Sequence, residues 1–321
     1  VLTEAHSNLA HPSFVTTIDR LLVPMDRSSR QQLVPDLLIT IGHNIISRRI
    51  KELLRANHFE HWHVDLSGEG LDTLKNLSRI VQMKPAEFFS SLTLIDPTGE
   101  DEPYGRVIDR WNSATRQAAD AFVHRATFSD LKAFDTIMRA VPPAYTVHMG
   151  NSSAVRYILL SDAREDLVYV GNRGVAGIDG CTSTAVGSAW VSESPTLLIS
   201  GDIAFFYDVN AFWNAYISKR LKIIVINNGG GGIFRIIDGP ATTDALEKHF
   251  ETTHHRSVLD VATMYGLPAR SVNGHEALNE GLKWLFESAG CAILEVVTPR
   301  LENADELKRY FAAIGHSVFS H

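Results

Sequence analysis

The sequence has 321 residues, of which 45% are hydrophobic and 21% are charged. This balance is typical of a globular protein, and the length suits two domains of ordinary size. The formal net charge of −7, without any run rich in lysine and arginine, argues against nucleic acid and anionic membrane surfaces as partners. No apolar stretch approaches the roughly 18–20 residues of a membrane helix, so we expect no membrane insertion.

The N-terminal part, residues 1–100, is predicted to form a small α/β domain. Its apolar residues recur at strand spacing or at helix spacing in four segments. The predicted strands are Val34–Gly42 and His61–Leu66, and the predicted helices are Ile45–Ala56 and Pro85–Leu92. The polar, turn-rich run Asp96–Pro103 is the best linker candidate. We therefore divide the chain into residues 1–100 and 101–321.

From residue 101 onward, helices and strands alternate, which predicts the α/β class with a doubly wound parallel sheet. The predicted helices are Trp111–Arg125, Ser129–Ala140, Ser152–Leu160, Thr182–Val191, Asp208–Arg220, Ser257–Tyr265, Glu276–Ser288 and Asp305–Ala313. The predicted strands are Tyr145–Met149, Leu167–Val170, Thr196–Ile199, Ile223–Ile226 and Ala292–Val297. Cys181 and Cys291 lie far apart and outside any metal-binding spacing, so we expect reduced thiols in a cytoplasmic protein.

Two short apolar runs, Thr196–Ile199 and Ile223–Ile226, end close to glycine or asparagine. Such runs are typical of buried parallel strands. The segment between them, Asp208–Arg220, has the length of a crossover helix, so we predict a βαβ unit. Both strands of such a unit point the same way. Asp202 and Asn228 should therefore emerge at the same carboxyl edge of the sheet, where open α/β sheets bind ligands.

This edge would offer the oxygen atoms of a carboxylate, an amide and the backbone of Gly229–Gly232. An all-oxygen set suits Mg²⁺, which commonly completes its coordination with phosphate oxygens and water. The glycines permit the close backbone approach that a diphosphate requires. The alternative interpretation is that Asp202 only caps the helix that follows it.

The spacing of these residues resembles a known signature. Gly201-Asp202, followed by 24 residues and then Asn227-Asn228, resembles the metal–diphosphate motif of thiamin-diphosphate (ThDP) enzymes. The stretches Gly150–Arg156 and Gly171–Gly180 also resemble one branch of that family, the SEPHCHC synthases of menaquinone biosynthesis. The resemblance covers almost the whole chain. It implies a ThDP-binding fold preceded by a truncated Rossmann-like central domain, in a fragment that lacks the family's N-terminal pyrimidine-binding domain.

By this resemblance, Asp202, Asn228 and the carbonyl of Gly230 are the ligands of Mg²⁺ or Mn²⁺. The other residues that the resemblance places at the cofactor are Ile178, Gly201, Ile203, Gly231, Ile233 and Phe234. Ile178 matches the position at which the family wedges an apolar side chain between the two rings of ThDP. On the sequence alone, Ile178, Ile233 and Phe234 would be interpreted as core residues.

Five residues fall where the family places its substrate contacts, namely Arg48, Arg49, Ser152, Arg156 and Arg173. The substrates implied by the resemblance, 2-oxoglutarate and isochorismate, each carry two carboxylates, which arginine can bind through two hydrogen bonds. Ser152 and Arg156 lie one helical turn apart, so both can face one pocket. For Arg48 and Arg49 the alternative is a solvated surface.

The resemblance implies that the parent protein decarboxylates 2-oxoglutarate and adds the resulting succinyl carbanion to isochorismate, giving SEPHCHC and CO₂. It also implies a homodimer or homotetramer. The fragment is expected to be inactive, because the family's catalytic glutamate lies in the absent domain. One alternative is another ThDP-dependent decarboxylase or an acetolactate-synthase-like ligase. The alternative outside enzymes is a nucleotide-binding or scaffolding α/β module.

Overall fold

The structure, a computed structural model, describes residues 1–42, 45–92, 103–237 and 239–319. The chain forms two units. The larger unit comprises Val1–Thr17 and Asp120–Tyr310, and the smaller unit comprises Ile18–Ala119 and Phe311–His321. The boundary predicted at residues 100 and 101, and all of the predicted linker Asp96–Pro103 except its last residue, lie outside the described residues. The division of the chain into domains therefore stays a prediction.

The larger unit is built on a six-stranded sheet in the order β5-β4-β6-β7-β9-β8. All of its strand pairs are parallel. The strands are β4 (Thr146–Met149), β5 (Val168–Gly171), β6 (Thr196–Gly201), β7 (Leu221–Asn227), β8 (Ala269–Val272) and β9 (Ala292–Val297). The strand order reverses direction within the sheet, as in doubly wound folds, and the predicted fold class is confirmed.

Helices precede, connect or follow these strands along the chain. The helices are α5 (Pro103–Arg125), α6 (Asp130–Ala140), α7 (Ser153–Ile158), α8 (Cys181–Val191), α9 (Asp202–Tyr207), α10 (Val258–Met264), α11 (His275–Glu287) and α12 (Glu302–Phe319). Short helical turns occur at Ala5–Ser7, Val209–Phe212, Gly232–Arg235, Pro240–Thr242 and Leu246–Phe250. Among the described residues, no helix is both long enough and apolar enough to cross a lipid bilayer.

The core of the larger unit lies on the central strands. Every residue of β7 is buried, and its sequence LKIIVIN is rich in β-branched residues that suit a strand covered on both faces. Phe205 and Phe212 pack against this strand and its neighbours in one cluster of buried residues. Rigid packing on both sides holds the ends of β6 and β7 next to each other, which positions the loops that follow them.

The smaller unit contains a three-stranded parallel sheet in the order β1-β2-β3. Its strands are β1 (Leu37–Ile41), β2 (Glu60–Val64) and β3 (Leu77–Val81), and its helices include α1 (Ile18–Leu22), α2 (Arg27–Gln31), α3 (Arg48–Arg55) and α4 (Pro85–Leu92). The sequence did not predict β3. Three of its five residues are exposed, so the strand lacks the apolar run by which the others were found.

The predicted crossover helix Asp208–Arg220 is wrong. The helix after β6 begins at Asp202 and ends at Tyr207, and Val209–Phe212 forms only a 3₁₀ turn. Asp208 interrupts the helix because its carboxylate accepts hydrogen bonds from the backbone N–H of Ser183 (2.7 Å) and from the hydroxyl of the same residue (2.5 Å). These tertiary contacts outweigh the local helix preference. The carboxyl ends of β6 and β7 still meet as the prediction requires.

Candidate functional site

Four neighbouring strands of the larger unit place loops at one edge of the sheet. The order β5-β4-β6-β7 brings the carboxyl ends of these strands side by side. Gly201 of β6 pairs with Ile226 of β7. Asp202 and Asn228 follow these paired residues by one and two positions, so they lie at the same edge of the sheet. The loops after β4 and β5 carry Ser152 and Arg173. The predicted residues of the larger unit thus follow strands that end at a shared edge.

Asp202 connects the end of β6 to the glycine loop after β7. The residue is only 3% exposed and lies at the N-terminus of α9. One carboxylate oxygen accepts the backbone N–H of Ile203 at 2.7 Å. The other accepts those of Gly229 (2.9 Å) and Gly230 (3.0 Å). A buried carboxylate with three backbone donors is held in one orientation, and the helix N-terminus favours its negative charge.

Asn228 has one satisfied and one unsatisfied polar atom. Its Nδ2 donates a hydrogen bond to Asp130 at 3.0 Å. Its Oδ1 is buried and has no hydrogen-bond donor among the described residues. A buried carbonyl oxygen without a partner is costly and rare in folded proteins. A hard cation would satisfy this oxygen, so the residues at this position fit a divalent metal ion.

The glycine loop supplies backbone groups around these two side chains. The carbonyl of Gly230 accepts the N–H of Gly232 at 3.0 Å, and the N–H of Gly231 donates to the carbonyl of Glu251 at 2.5 Å. In the described part of the chain, no group of three or more His, Cys, Asp and Glu side chains could hold a metal ion. A cation at this edge would therefore need amide or carbonyl oxygens besides the carboxylate of Asp202. The roles of Gly230 and Gly231 stay predictions.

Asp130, the first residue of α6, was missed by sequence reasoning. It is buried, and its carboxylate accepts hydrogen bonds from the hydroxyl of Thr298 (2.6 Å) and from Asn228. Burial raises the pKa of Asp130 from 3.8 to about 6, and the charge of Asp202 adds to this shift. Asp130 orients the amide of Asn228, so that Oδ1 rather than Nδ2 remains available. No local sequence motif identifies Asp130, because its partner Asn228 lies 98 positions away in the chain.

Replacing Asp130 with asparagine should remove one pH dependence of stability in the metal-free chain. The folded-state pKa of Asp130 is about 6, above the ordinary value of 3.8, so the protonated carboxyl group stabilises the folded protein. Its contribution to the free energy of unfolding is fully present below the ordinary pKa and is lost as the pH rises through the folded-state pKa. Between about pH 4.5 and about pH 7.5, the free energy of unfolding of the wild type should fall by about 2 kcal/mol relative to the variant. Denaturant unfolding at both pH values measures this change, and a constant difference would contradict it.

His254 also contacts Asp202, a contact that no motif in the sequence predicts. The Nε2 atom of His254 lies 3.1 Å from a carboxylate oxygen of Asp202. The Nδ1 atom accepts the backbone N–H of Arg256 at 3.1 Å, which assigns the ring proton of the neutral histidine to Nε2. His254 therefore donates to Asp202, and its ring packs edge-on against Phe206 with centroids 5.2 Å apart.

The loops after β4 and β5 are tied together by Asn151. This buried amide donates to the carbonyls of Asn172 (2.8 Å) and Gly177 (2.6 Å) and accepts a hydrogen bond from Arg173. Burial lowers the pKa of Arg173, whose ordinary value is so high that the group stays charged. A partly desolvated guanidinium in a strand-end loop is suited to binding a carboxylate.

Ser152 and Arg156 lie next to this loop. Ser152 has a φ of 68°, in the left-handed region that residues other than glycine adopt rarely. Its carbonyl accepts a hydrogen bond of 2.5 Å from the exposed guanidinium of Arg156. Strained backbone of this kind is frequent at functional sites.

The remaining predicted residues are distributed over both units. Ile178 is half-buried in the loop between β5 and α8, and Ile233 is buried. The ring of Phe234 lies 5.5 Å from that of Phe250. Arg48 and Arg49 are exposed on α3 of the smaller unit, where both contact the carboxylate of Glu52, at 2.6 and 3.3 Å. Their predicted substrate contacts stay predictions.

Comparison with known proteins identifies relatives of this chain. Residues 148–296 match the family model described as the thiamine pyrophosphate enzyme, C-terminal TPP binding domain. The chain is 42% identical, over 97% of its length, to the 2-succinyl-5-enolpyruvyl-6-hydroxy-3-cyclohexene-1-carboxylate (SEPHCHC) synthase of Flavobacterium johnsoniae, and covers 56% of that protein. The synthases of Flavobacterium psychrophilum and Porphyromonas gingivalis are 37% and 38% identical, over 97% and 98% of the chain. In both cases the chain covers 56% of the relative.

Proposed function

Since residues 148–296 match the C-terminal TPP-binding domain of thiamine pyrophosphate enzymes and the chain is 42% identical to a SEPHCHC synthase, we propose that the whole protein is a SEPHCHC synthase. In this reaction 2-oxoglutarate is decarboxylated and the remaining four-carbon unit is joined to isochorismate, with release of CO₂. The chain spans 56% of the length of the F. johnsoniae synthase it matches. The substrates are therefore proposed for the whole protein.

The observation that carries the proposal is the pairing of Asp202 and Asn228 around the glycine loop. The carboxylate is fixed by backbone N–H groups, and the Oδ1 of Asn228 is buried without a donor among the described residues. We propose that these two side chains and the carbonyl of Gly230 hold Mg²⁺ or Mn²⁺, which would bind the diphosphate of ThDP. The remaining proposed cofactor contacts are Ile178, Gly201, Ile203, Gly231, Ile233 and Phe234.

When bound, ThDP supplies the electron sink that decarboxylation of a 2-oxo acid requires. The chain's own contribution is to bind and orient. Arg173 and Arg156 would pair with substrate carboxylates beside Ser152. Arg48 and Arg49 are also proposed as substrate contacts. The hydrogen bond from Arg173 to Asn151 orients the guanidinium before a substrate arrives, which lowers the entropy lost on binding.

The surface of the larger unit supports assembly into a homodimer or homotetramer. Trp190, Trp213 and Tyr216 are 54%, 76% and 58% exposed, and the rings of Trp190 and Tyr216 pack edge-on at 5.1 Å. Large exposed aromatic side chains are enriched at protein interfaces. We also propose a cytoplasmic location, since the two cysteines are free in the structure.

Substrate choice tests the proposed function. The whole protein, supplied with ThDP and Mg²⁺, should release CO₂ from 2-oxoglutarate and form the coupled product only when isochorismate is present. Pyruvate should be a poor substrate, because it lacks the second carboxylate. Preferential turnover of pyruvate would instead indicate an acetolactate-synthase-like ligase. Absence of Mg²⁺-dependent ThDP binding would favour a nucleotide-binding or scaffolding module.

The same assay tests the activity of this chain alone. We propose that the isolated 321-residue chain does not catalyse the reaction, because its relatives contain a further part of comparable length. Product formed by the isolated chain at a rate near that of the whole protein would contradict this proposal.

A further inference from the structure

An ion-pair cluster around a buried carboxylate lies beside the glycine loop and consists of Arg235, Glu251 and Arg300. The side chain of Glu251 is 0% exposed. Its carboxylate accepts hydrogen bonds from Arg235 at 2.6 and 2.7 Å and from Arg300 at 2.8 Å. Removing the carboxylate would leave two cations without their buried counter-ion, so the cluster is sensitive to any change at Glu251. The proposed function assigns no role to this cluster.

The backbone of the same segment contacts the glycine loop. The carbonyl of Glu251 accepts the N–H of Gly231 at 2.5 Å, and the N–H of His254 donates to the carbonyl of Gly229 at 3.1 Å. The approach is close, since a Cβ atom added at Gly230 would lie 2.8 Å from the carbonyl oxygen of Glu251. The segment Glu251–His254 therefore lies directly along the loop that also donates to Asp202.

These contacts join the glycine loop, Arg235 and Glu251 into a closed ring of interactions, referred to below as the circuit. The chain leaves Gly231 through the 3₁₀ turn Gly232–Arg235, and Arg235 returns to the carboxylate of Glu251, whose own carbonyl holds Gly231. Arg300, which follows β9, fixes the circuit to the sheet. A loop of consecutive glycines has high conformational freedom, so its geometry must be imposed by neighbouring groups.

We propose that Glu251 is a positioning residue of the metal–diphosphate site and acts through the backbone of Gly229–Gly231. This inference rests on the proposed function. Glu251 holds the loop so that the N–H groups of Gly229 and Gly230 reach Asp202 and Asn228 stays at the edge. Sites of this kind depend on surrounding residues that hold the ligands in place, and the loss of such support typically weakens binding by about 10- to 100-fold.

The test compares Glu251→Gln with Glu247→Gln in the whole protein. Glu247 is a matched control because it contacts the same two arginines, at 2.6 and 3.7 Å, but is 62% exposed. Calorimetry with ThDP and Mg²⁺ measures affinity, and hydrogen exchange measures the amides of Gly229–Gly231 without cofactor. We expect Glu251→Gln to weaken ThDP binding about tenfold and to speed exchange in the loop by at least about tenfold, while exchange in β9 stays unchanged. Glu247→Gln should stay within about twofold of the wild type.

A second variant covers the case in which Glu251→Gln does not fold. Arg300→Gln removes one of the three hydrogen bonds to the carboxylate, and Arg300 is partly exposed. It should produce the same local increase in exchange with a weakening of ThDP binding of about threefold. Wild-type affinity for ThDP in a folded Glu251→Gln protein, or in Arg300→Gln where only that variant folds, would overturn the inference.

The controls separate this inference from the proposed function. If the wild type does not bind ThDP with Mg²⁺, the proposed function fails, and the assignment of Glu251 to that site fails with it. If the wild type binds and the folded Glu251→Gln protein binds equally well, only the assignment of Glu251 fails.

Discussion

Replacing Asp202 with alanine should abolish Mg²⁺-dependent binding of ThDP to the whole protein. We expect the affinity to fall by at least about a hundredfold, because the change removes the proposed charged metal ligand and the acceptor of the N–H groups of Gly229 and Gly230. Calorimetric titration with ThDP, in the presence and absence of Mg²⁺, measures the loss. The metal-free affinity should fall by much less, since the loss of the proposed ligand acts only through the ion.

Asp208→Asn is the matched control for that experiment. Asp208 lies just after the C-terminal end of α9, is only 5% exposed and accepts hydrogen bonds from Ser183. Among the hydrogen bonds of the described residues, none joins its carboxylate to the glycine loop. Its replacement should lower stability and leave Mg²⁺-dependent binding within about threefold of the wild type. Equal affinity in Asp202→Ala and wild type would exclude the proposed role of Asp202.

Replacing Arg173 with glutamine should lower kcat/KM by about a hundredfold for the substrate whose carboxylate it binds. A hydrogen bond between charged groups contributes about 1.5–3 kcal/mol, and the glutamine side chain retains a donor without the charge. Steady-state kinetics of the whole protein, with 2-oxoglutarate and isochorismate varied separately, would identify that substrate. The affinity for ThDP should stay within about threefold of the wild type.

Arg139→Gln is the control for Arg173. Arg139 is an exposed arginine of α6 that pairs with Asp135 at 2.9 Å and with Asp120 at 2.7 Å. It comes before the amino end of β4 in the chain, whereas the candidate site lies at the carboxyl ends of the strands. Its replacement should leave the kinetics unchanged. If Arg173→Gln behaves like Arg139→Gln for both substrates, Arg173 does not bind a substrate carboxylate.

The sequence was sufficient to predict the fold class and the edge at which Asp202 and Asn228 emerge. Parallel strands of known direction place their carboxyl ends together, and two buried apolar runs were enough to define β6 and β7. The helix between them was wrongly placed because Asp208 is bound by Ser183, a contact that no local pattern contains. The strand β8 was missed because its four residues, with two exposed, carry almost no apolar periodicity.

The groups around the candidate ligands could not have been predicted in the same way. Asp130 and His254 reach Asn228 and Asp202 from 98 and 52 residues away. Glu251 resembles any surface glutamate in sequence, but in the structure its carboxylate is buried and pairs with Arg235 and Arg300. Such residues are defined by tertiary contacts, whereas the ligands themselves are defined by the ends of strands.

The most direct measurement is a crystal structure of the whole protein grown with ThDP and Mn²⁺, with the ion located by anomalous scattering. We expect a single peak in the larger unit, about 2.0–2.3 Å from a carboxylate oxygen of Asp202, from Oδ1 of Asn228 and from the carbonyl of Gly230. An ion bound elsewhere, or one whose coordination leaves out Asp202 and Asn228, would contradict it.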